Sequence, residues 1–186
     1  MDDFQAELAR LDAKVRATVA CSKPRGIAAH KDGAPDTLAD LWKSGRTVAV
    51  EAGLPFVKWL NQTYGKGGVH LVPSQGGLGQ FKMTPAMAQA VFIFAEPVTL
   101  ELDKVPTKIY SVADSGYNPY TVVLATRAAF LEERPGVARR MARALRRGWA
   151  KYLAEPEIVN RELNVLNPTM SLAAMNLSAK MSEPYV

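Results

Sequence analysis

The sequence predicts an α/β fold with parallel-type sheets arranged in two lobes. Three observations carry that expectation. Between Arg46 and Ala113, short apolar runs rich in β-branched residues alternate with turn residues and helical stretches, the pattern of successive strand–helix units. No Asn-Gly or Asp-Gly hairpin turn separates those runs, which favours crossover connections over antiparallel pairs. Beyond Tyr120 the pattern turns helical, so a helical mass follows the sheet.

The clearest unit is 46–60, RTVAVEAGLPFVKWL. Thr47, Val48, Ala49 and Val50 read as a buried strand, and a Glu-Ala-Gly turn follows. Pro55 stands where the first helical turn begins, with Phe56, Val57 and Leu60 at helical spacing behind it. A strand that turns sharply into a helix leaves backbone N–H groups unpaired beside the carboxyl end of the sheet. Open α/β sheets take ligands at that edge. An ordinary βα turn looks the same in sequence, so the motif alone assigns no function.

Upstream, residues 2–16 read as a helix with Phe4, Leu8, Leu11 and Val15 in one stripe, and 17–20 as a short strand. Residues 26–30 form a second short apolar run, and 31–36 a turn-rich connector. Asp36 or Thr37 is placed to cap a helix over 38–42, which Gly45 ends. Downstream, a helix over 55–64 leads to a strand at 69–73, a glycine-rich turn at 74–79 and a helical start at Phe81. The most apolar run, 90–95, predicts a central strand, and Glu96-Pro97 opens the next helix. Strands at 108–113 and 121–125 flank a loop. Helices are expected over 128–133 and 135–153, with two or three shorter pieces over 155–181.

Composition is that of a globular protein. The 186 residues are 48% hydrophobic and 22% charged, enough for one sizeable core or two small ones. No apolar run approaches the ~18–20 residues that span a bilayer. The first residues lack the basic and apolar regions of a signal peptide. Cys21, the single cysteine, excludes an internal disulfide, and its apolar setting reads as a buried inert thiol. The net charge of +5 is unevenly spread. Of the 23 basic residues, seven lie between Arg134 and Lys151 without any acidic residue, so the 16 elsewhere are outnumbered by 18 carboxylates.

Motifs for catalysis and cofactors are missing from the sequence. His30 and His70 have no partners at metal-ligand spacing, and no Gly-x-Ser-x-Gly turn occurs. Gly76, Gly77 and Gly79 miss the dinucleotide spacing, and no Gly-Lys-Ser/Thr follows them. The expectation is a protein without cofactor, metal or enzymatic activity.

Several segments carry a resemblance to a known family. They are 38–50 (LADLWKSGRTVAV), 95–97 (AEP), 115–120 (SGYNPY), 124–131 (LATRAAFL) and 135–149 (PGVARRMARALRRGW), with Glu155-Pro156 after the last. In order and spacing over 24–168 they resemble the periplasmic solute-binding proteins of ABC importers. The branch is the one that takes sulfonates, taurine, nitrate or thiamine pyrimidine precursors. The resemblance implies a periplasmic-binding-protein-like fold of two lobes closing about crossings near residues 30–33 and 115–120. An inserted lobe would span 34–116, and a main lobe 1–33 plus 117–186. Complete members carry a signal peptide and an opening strand–helix–strand block. Here a single helix stands in that place, so the expectation is a chain truncated at its start with its first lobe incomplete. The implied location is periplasmic or extracytoplasmic, or cytoplasmic for a naturally truncated product. The implied partners are a small-molecule solute and an ABC permease, with no nucleic acid and no metal.

By the same resemblance, ligand lies between the lobes against turns at the carboxyl ends of strands. On this sequence the contacts fall on Glu51, Gly53, Leu54, Pro55, Phe56, Ser74, Gln75, Gly76, Glu96, Tyr117 and Tyr120. Backbone N–H groups near Gly53 and Gly76 suit an anionic head. Glu51 and Glu96 favour a group that donates hydrogen bonds, so an amino-sulfonate or amino-pyrimidine fits better than nitrate. Hinge salt bridges for the glutamates and hinge packing for the tyrosines are the alternatives. Two other functions remain open. Arg139, Arg140, Arg143, Arg146, Arg147 and Lys151 fall on one helical arc, which suits an anionic membrane or nucleic acid and equally a solvated face. A thiamine-pyrimidine-type enzyme would use Glu51 or Glu96, although the cysteine-rich motif of that enzyme is missing.

Overall fold

The computed structural model describes residues 25–119 and 123–185. The expected helix over 2–16, the strand over 17–20, Cys21 and Tyr120 lie outside them. The chain divides into two compact units, Lys23–Pro119 and one to which residues 123–185 belong.

The first unit is a five-stranded sheet with helices on both faces. Its strands are β1 (Arg25–His30), β2 (Thr47–Val50), β3 (His70–Pro73), β4 (Ala88–Phe92) and β5 (Thr107–Ser111), in spatial order β3-β2-β4-β1-β5. β2 pairs in parallel with β3 and β4, and β1 runs antiparallel to both β4 and β5. Four strands therefore point one way and β1 alone opposes them. The connections between β2, β3 and β4 are the helical crossovers that the missing hairpin turns implied. Four helices complete the unit: α1 (Leu38–Trp42), α2 (Pro55–Tyr64), α3 (Gly79–Met83) and α4 (Glu96–Leu102). A 3-10 turn, Val112–Ser115, follows β5.

The central strands β1, β2 and β4 are buried on both sides, while the edge strand β3 is largely exposed. Ile27, Ala29, Val48, Val50, Ala88, Ala90 and Tyr110 face a core with Leu41 and Trp42 of α1 and Phe56 and Leu60 of α2. Ala28 and Val91 point the other way, against Leu78, Phe81 and Leu100. This alternation is the period-two consequence of strand geometry. α1 forms because Thr37 Oγ1 accepts from Asp40 N at 3.1 Å while the Asp40 carboxylate accepts from Thr37 N at 3.2 Å, a reciprocal cap. Trp42 is fully buried, and its indole N–H donates to Asn61 Oδ1 at 3.1 Å. A Cβ at Gly68 would overlap the Trp42 carbonyl oxygen, so only glycine lets that loop pass.

The amino edge of the sheet is tied down by side chains. The Arg46 guanidinium donates to Gly33 O at 2.6 Å and Ala86 O at 3.3 Å. The Tyr110 hydroxyl donates to Pro35 O at 2.5 Å, and Lys108 Nζ to Pro35 O and Asp36 O at 2.9 Å each. His30 stacks on Phe81 at 4.5 Å, with Nε2 2.8 Å from Phe81 O. It is a packed structural histidine.

Three expectations shift. The expected boundary after residue 33 would cut β1 from both neighbours, with which it pairs along its length, and the compact unit starts at Lys23 instead. The expected strand over 90–95 lies two residues earlier and ends at Phe92, because Ala95 N turns back to Phe92 O at 2.9 Å. Of the expected strand over 121–125, residues 123–125 are irregular.

The second unit is helical: α5 (Ala128–Glu133), α6 (Pro135–Ala154), α7 (Pro156–Leu166) and α8 (Leu172–Ser182), with a final 3-10 turn, Glu183–Tyr185. Each of α6 and α7 begins with proline at its first position, as proline's fixed φ and missing donor favour. Ser171 caps α8 by accepting from Ala174 N at 3.2 Å. Buried Asn160 accepts from the Tyr152 hydroxyl at 3.1 Å and donates to Asn176 Oδ1 at 2.7 Å.

Candidate functional site: the carboxyl edge of the sheet

Because β2, β3, β4 and β5 share a direction, their carboxyl ends align along one edge. The antiparallel β1 brings its amino end to the same edge, and Arg25 lies in register opposite Phe92. The Arg25 guanidinium sits over the Phe92 ring, 3.9 Å from its centroid, with Nη1 3.4 Å from Glu51 Oε2. Phe92 N donates to Glu96 Oε2 at 2.7 Å. One aromatic residue thus lies between a guanidinium and a carboxylate, with a second carboxylate on the guanidinium.

The β2–α2 turn builds a concavity. Val50 ends the strand, Gly53 takes φ +80°, and Leu54 precedes Pro55 at the helix start. A cavity of about 640 Å³ runs from Val50, Glu51, Ala52, Gly53, Leu54 and Pro55 along α2 past Val57, Lys58, Asn61 and Gln62 to Lys66. Leu54 offers no capping side chain, Pro55 has no N–H, and Val57 N donates to Leu54 O at 3.1 Å. The wall carries two lysines and one glutamate, which suits a ligand bearing charges of both signs.

Of the candidate residues, Glu51, Gly53, Leu54 and Pro55 line this cavity. Phe56 does not, because its side chain is buried in the core below the turn. Ser74, Gln75 and Gly76 occupy the neighbouring β3–α3 loop. Ser74 N donates to Val50 O at 2.9 Å, Gly76 N to Ser74 Oγ at 3.4 Å, and buried Gln89 pins the loop through Gly77 O at 3.0 Å. Glu96 is half-buried and engaged with Phe92. Tyr117 leans on Trp59 at 5.9 Å and packs against the core. The Trp59 indole N–H donates to Ser115 O at 3.2 Å and Ser115 Oγ at 3.1 Å, joining α2 to the turn after β5.

Sequence reading missed Arg25, Lys58, Asn61, Gln62 and Lys66. Lys58, Asn61 and Gln62 follow from one signal, their spacing along one face of α2, and Lys66 lies just past its Gly65 cap. Arg25 had no local signal, since its place depends on β1 entering the sheet reversed. Among the described residues no cluster of three or more His, Cys, Asp or Glu side chains is placed to hold a metal. No helix among them is long and apolar enough to cross a membrane.

With this geometry in hand, comparison with known proteins is informative at the level of fold and family. The structure is similar to one named as the periplasmic sulfonate-binding protein SsuA of a sulfonate ABC transporter from Methylobacillus flagellatus KT. The match has 14% identity and a TM-score of 0.50, covering 84% of this chain and 50% of that one. The chain therefore spans half the length of that protein, and its α/β architecture is that of a periplasmic-binding-protein fold. A second match is the periplasmic binding protein XoxJ from Methylobacterium extorquens AM1, at 13% identity and TM-score 0.42, covering 69% of each chain. No curated protein matches by sequence. The family model described as NMT1/THI5 like matches residues 10–158, most of the sequence, and the chain belongs to that family.

Proposed function

We propose that the chain is the substrate-binding component of an ABC importer, acting outside the cytoplasm and delivering its solute to a permease without chemical turnover. The solute is a small polar organic molecule of the sulfonate, taurine-like or pyrimidine-precursor-like kind. Family membership and fold support the class. The observation that carries the reading to a site is the cavity over the β2–α2 turn. There, Lys58, Lys66 and Glu51 all line one concavity. The lysines suit an acidic head, and Glu51 suits an amine or ring N–H. Ser74, Gln75, Gly76, Glu96, Tyr117 and Tyr120 belong to the same proposed edge.

A thermal-shift panel of taurine, alkyl sulfonates and amino-pyrimidines tests this reading. A ligand at a hundred times its dissociation constant adds about 2.7 kcal/mol, a rise of several degrees. Lys58→Glu abolishes that rise for acidic solutes without lowering the unliganded melting point. A flat response across the panel overturns the proposal.

A further inference from the structure

We propose that α6 docks along its length on an anionic lipid bilayer, through a cationic ridge and an exposed apolar strip that adjoins it. This surface plays no part in the solute-binding reading and stands or falls separately. None of the twenty residues of α6 is buried. At about 100° per residue, its side chains divide into three sectors. Leu145, Trp149 and Tyr152 form the half-buried sector, where Tyr152 bonds Asn160 of α7 and stands edge-on to Trp149 at 5.8 Å. The ridge holds Arg139, Arg140, Arg143, Arg146, Arg147 and Lys151, all exposed. Among the described residues no carboxylate forms an ion pair with any of them.

Between these sectors lies the strip. Val137 is 37% and Met141 54% exposed, Gly148 falls between them, and Ala144 fills the angle between Val137 and Lys151 at the margin of the ridge. The ridge and the strip are thus contiguous, and one surface engages both. Arginine stems lie along apolar surface while their heads reach phosphate oxygens, and an apolar strip enters the boundary between headgroups and acyl chains. Charge complementarity selects the partner: the stretch from Arg134 to Lys151 has seven basic residues and no acidic one, in a chain otherwise slightly acidic. Nucleic acid would satisfy the arginines but leave Val137 and Met141 unused. No aromatic residue interleaves the ridge for base stacking.

The test is co-sedimentation of the full chain with vesicles of phosphatidylcholine alone or mixed with phosphatidylglycerol. Binding is expected only to the mixed vesicles, weakening as salt screens the ridge. Arg140→Glu with Arg147→Glu lowers partitioning at least about tenfold. Val137→Gln with Met141→Gln lowers it several-fold at unchanged net charge. Lys31→Glu with Lys43→Glu, matched in charge and remote in sequence, retains binding. All variants melt like the parent by circular dichroism, because every substituted residue is exposed. Equal binding to both vesicle types, no binding to either, or indifference to the α6 variants overturns the proposal. So does retention on duplex DNA, without vesicle binding, that the Val137/Met141 variant leaves intact.

Discussion

The two units of the chain bury different things. In the α/β unit the fully buried side chains include Trp42, Phe56, Phe81, Ile27, Leu41 and Leu60. Among the described residues of the helical unit, the large side chain buried to that degree is an amide, Asn160. There α5 and α6 bury nothing, while Ile158, Leu163, Val165, Leu166 and Met170 stand exposed. Both units have the apolar periodicity of amphipathic elements. Periodicity tells which residues share a face, and burial depends on whether another element covers it. The sheet provides that cover in the α/β unit, whereas among the described residues of the helical unit the helices fully cover only Asn160 and, along α8, Met175, Ala179 and Ser182.

Substitutions in the two units should separate accordingly. Trp42→Ala is expected to cost about 3–5 kcal/mol of stability, read from urea unfolding. Met141→Ala, on the exposed strip of α6, should stay within about 0.5 kcal/mol. Comparable losses from both would erase the contrast. Asn160→Ala should cost about 1–3 kcal/mol by leaving the Tyr152 hydroxyl and the Asn176 amide without their buried partner. Faster hydrogen exchange in α7 and α8, with β1 to β5 unchanged, would locate that loss in the helical unit. Loss of protection in the sheet would refute the division.

Alkaline pH probes the amino edge of the sheet. Burial raises the Tyr110 hydroxyl above its ordinary value of 10.0, with Asp36 and Asp40 adding to the rise and Arg46 opposing it. The neutral phenol is favoured in the folded state. Its contribution is complete below the unfolded value and is lost as pH climbs through the raised folded one. The melting point of the parent should therefore fall more steeply than that of Tyr110→Phe above about pH 10; parallel curves would refute this. Smallest of all, Glu51→Gln should change stability by less than about 1 kcal/mol, since its pair with Arg25 is exposed. The same substitution should alter which solutes raise the melting point. A large stability loss would make Glu51 a structural residue.

Local features of the α/β unit were legible because they are written in adjacent residues. The β-branched run at Thr47, the proline at 55 and the threonine cap at 37 each act within one turn of chain. β4 was misplaced because Gln89 looks like a helix residue and Phe94 like a strand residue. The amide of Gln89 is buried by its bond to the glycine loop, a partner that local sequence does not reveal. The β2–α2 turn was likewise readable as a turn, whereas the burial of Phe56 was not. Its helical spacing is the same whether it faces solute or core. Arg25 illustrates the limit most directly, since its role at the edge rests on a partner strand some sixty residues away.

That reversed strand has a kinetic consequence. β5 pairs with β1 only, and β1 joins it to the rest of the sheet. The parallel trio β3-β2-β4 is contiguous in sequence and closes comparatively short loops, but β1 waits for β4 to be synthesised before it finds its register. Zippering of β1 into the gap is therefore a late, high-contact-order event, and β5 adds only after it. In reverse, β5 is the first to detach and β1 follows. The guanidinium of Arg25 would leave the carboxyl edge of the sheet with β1.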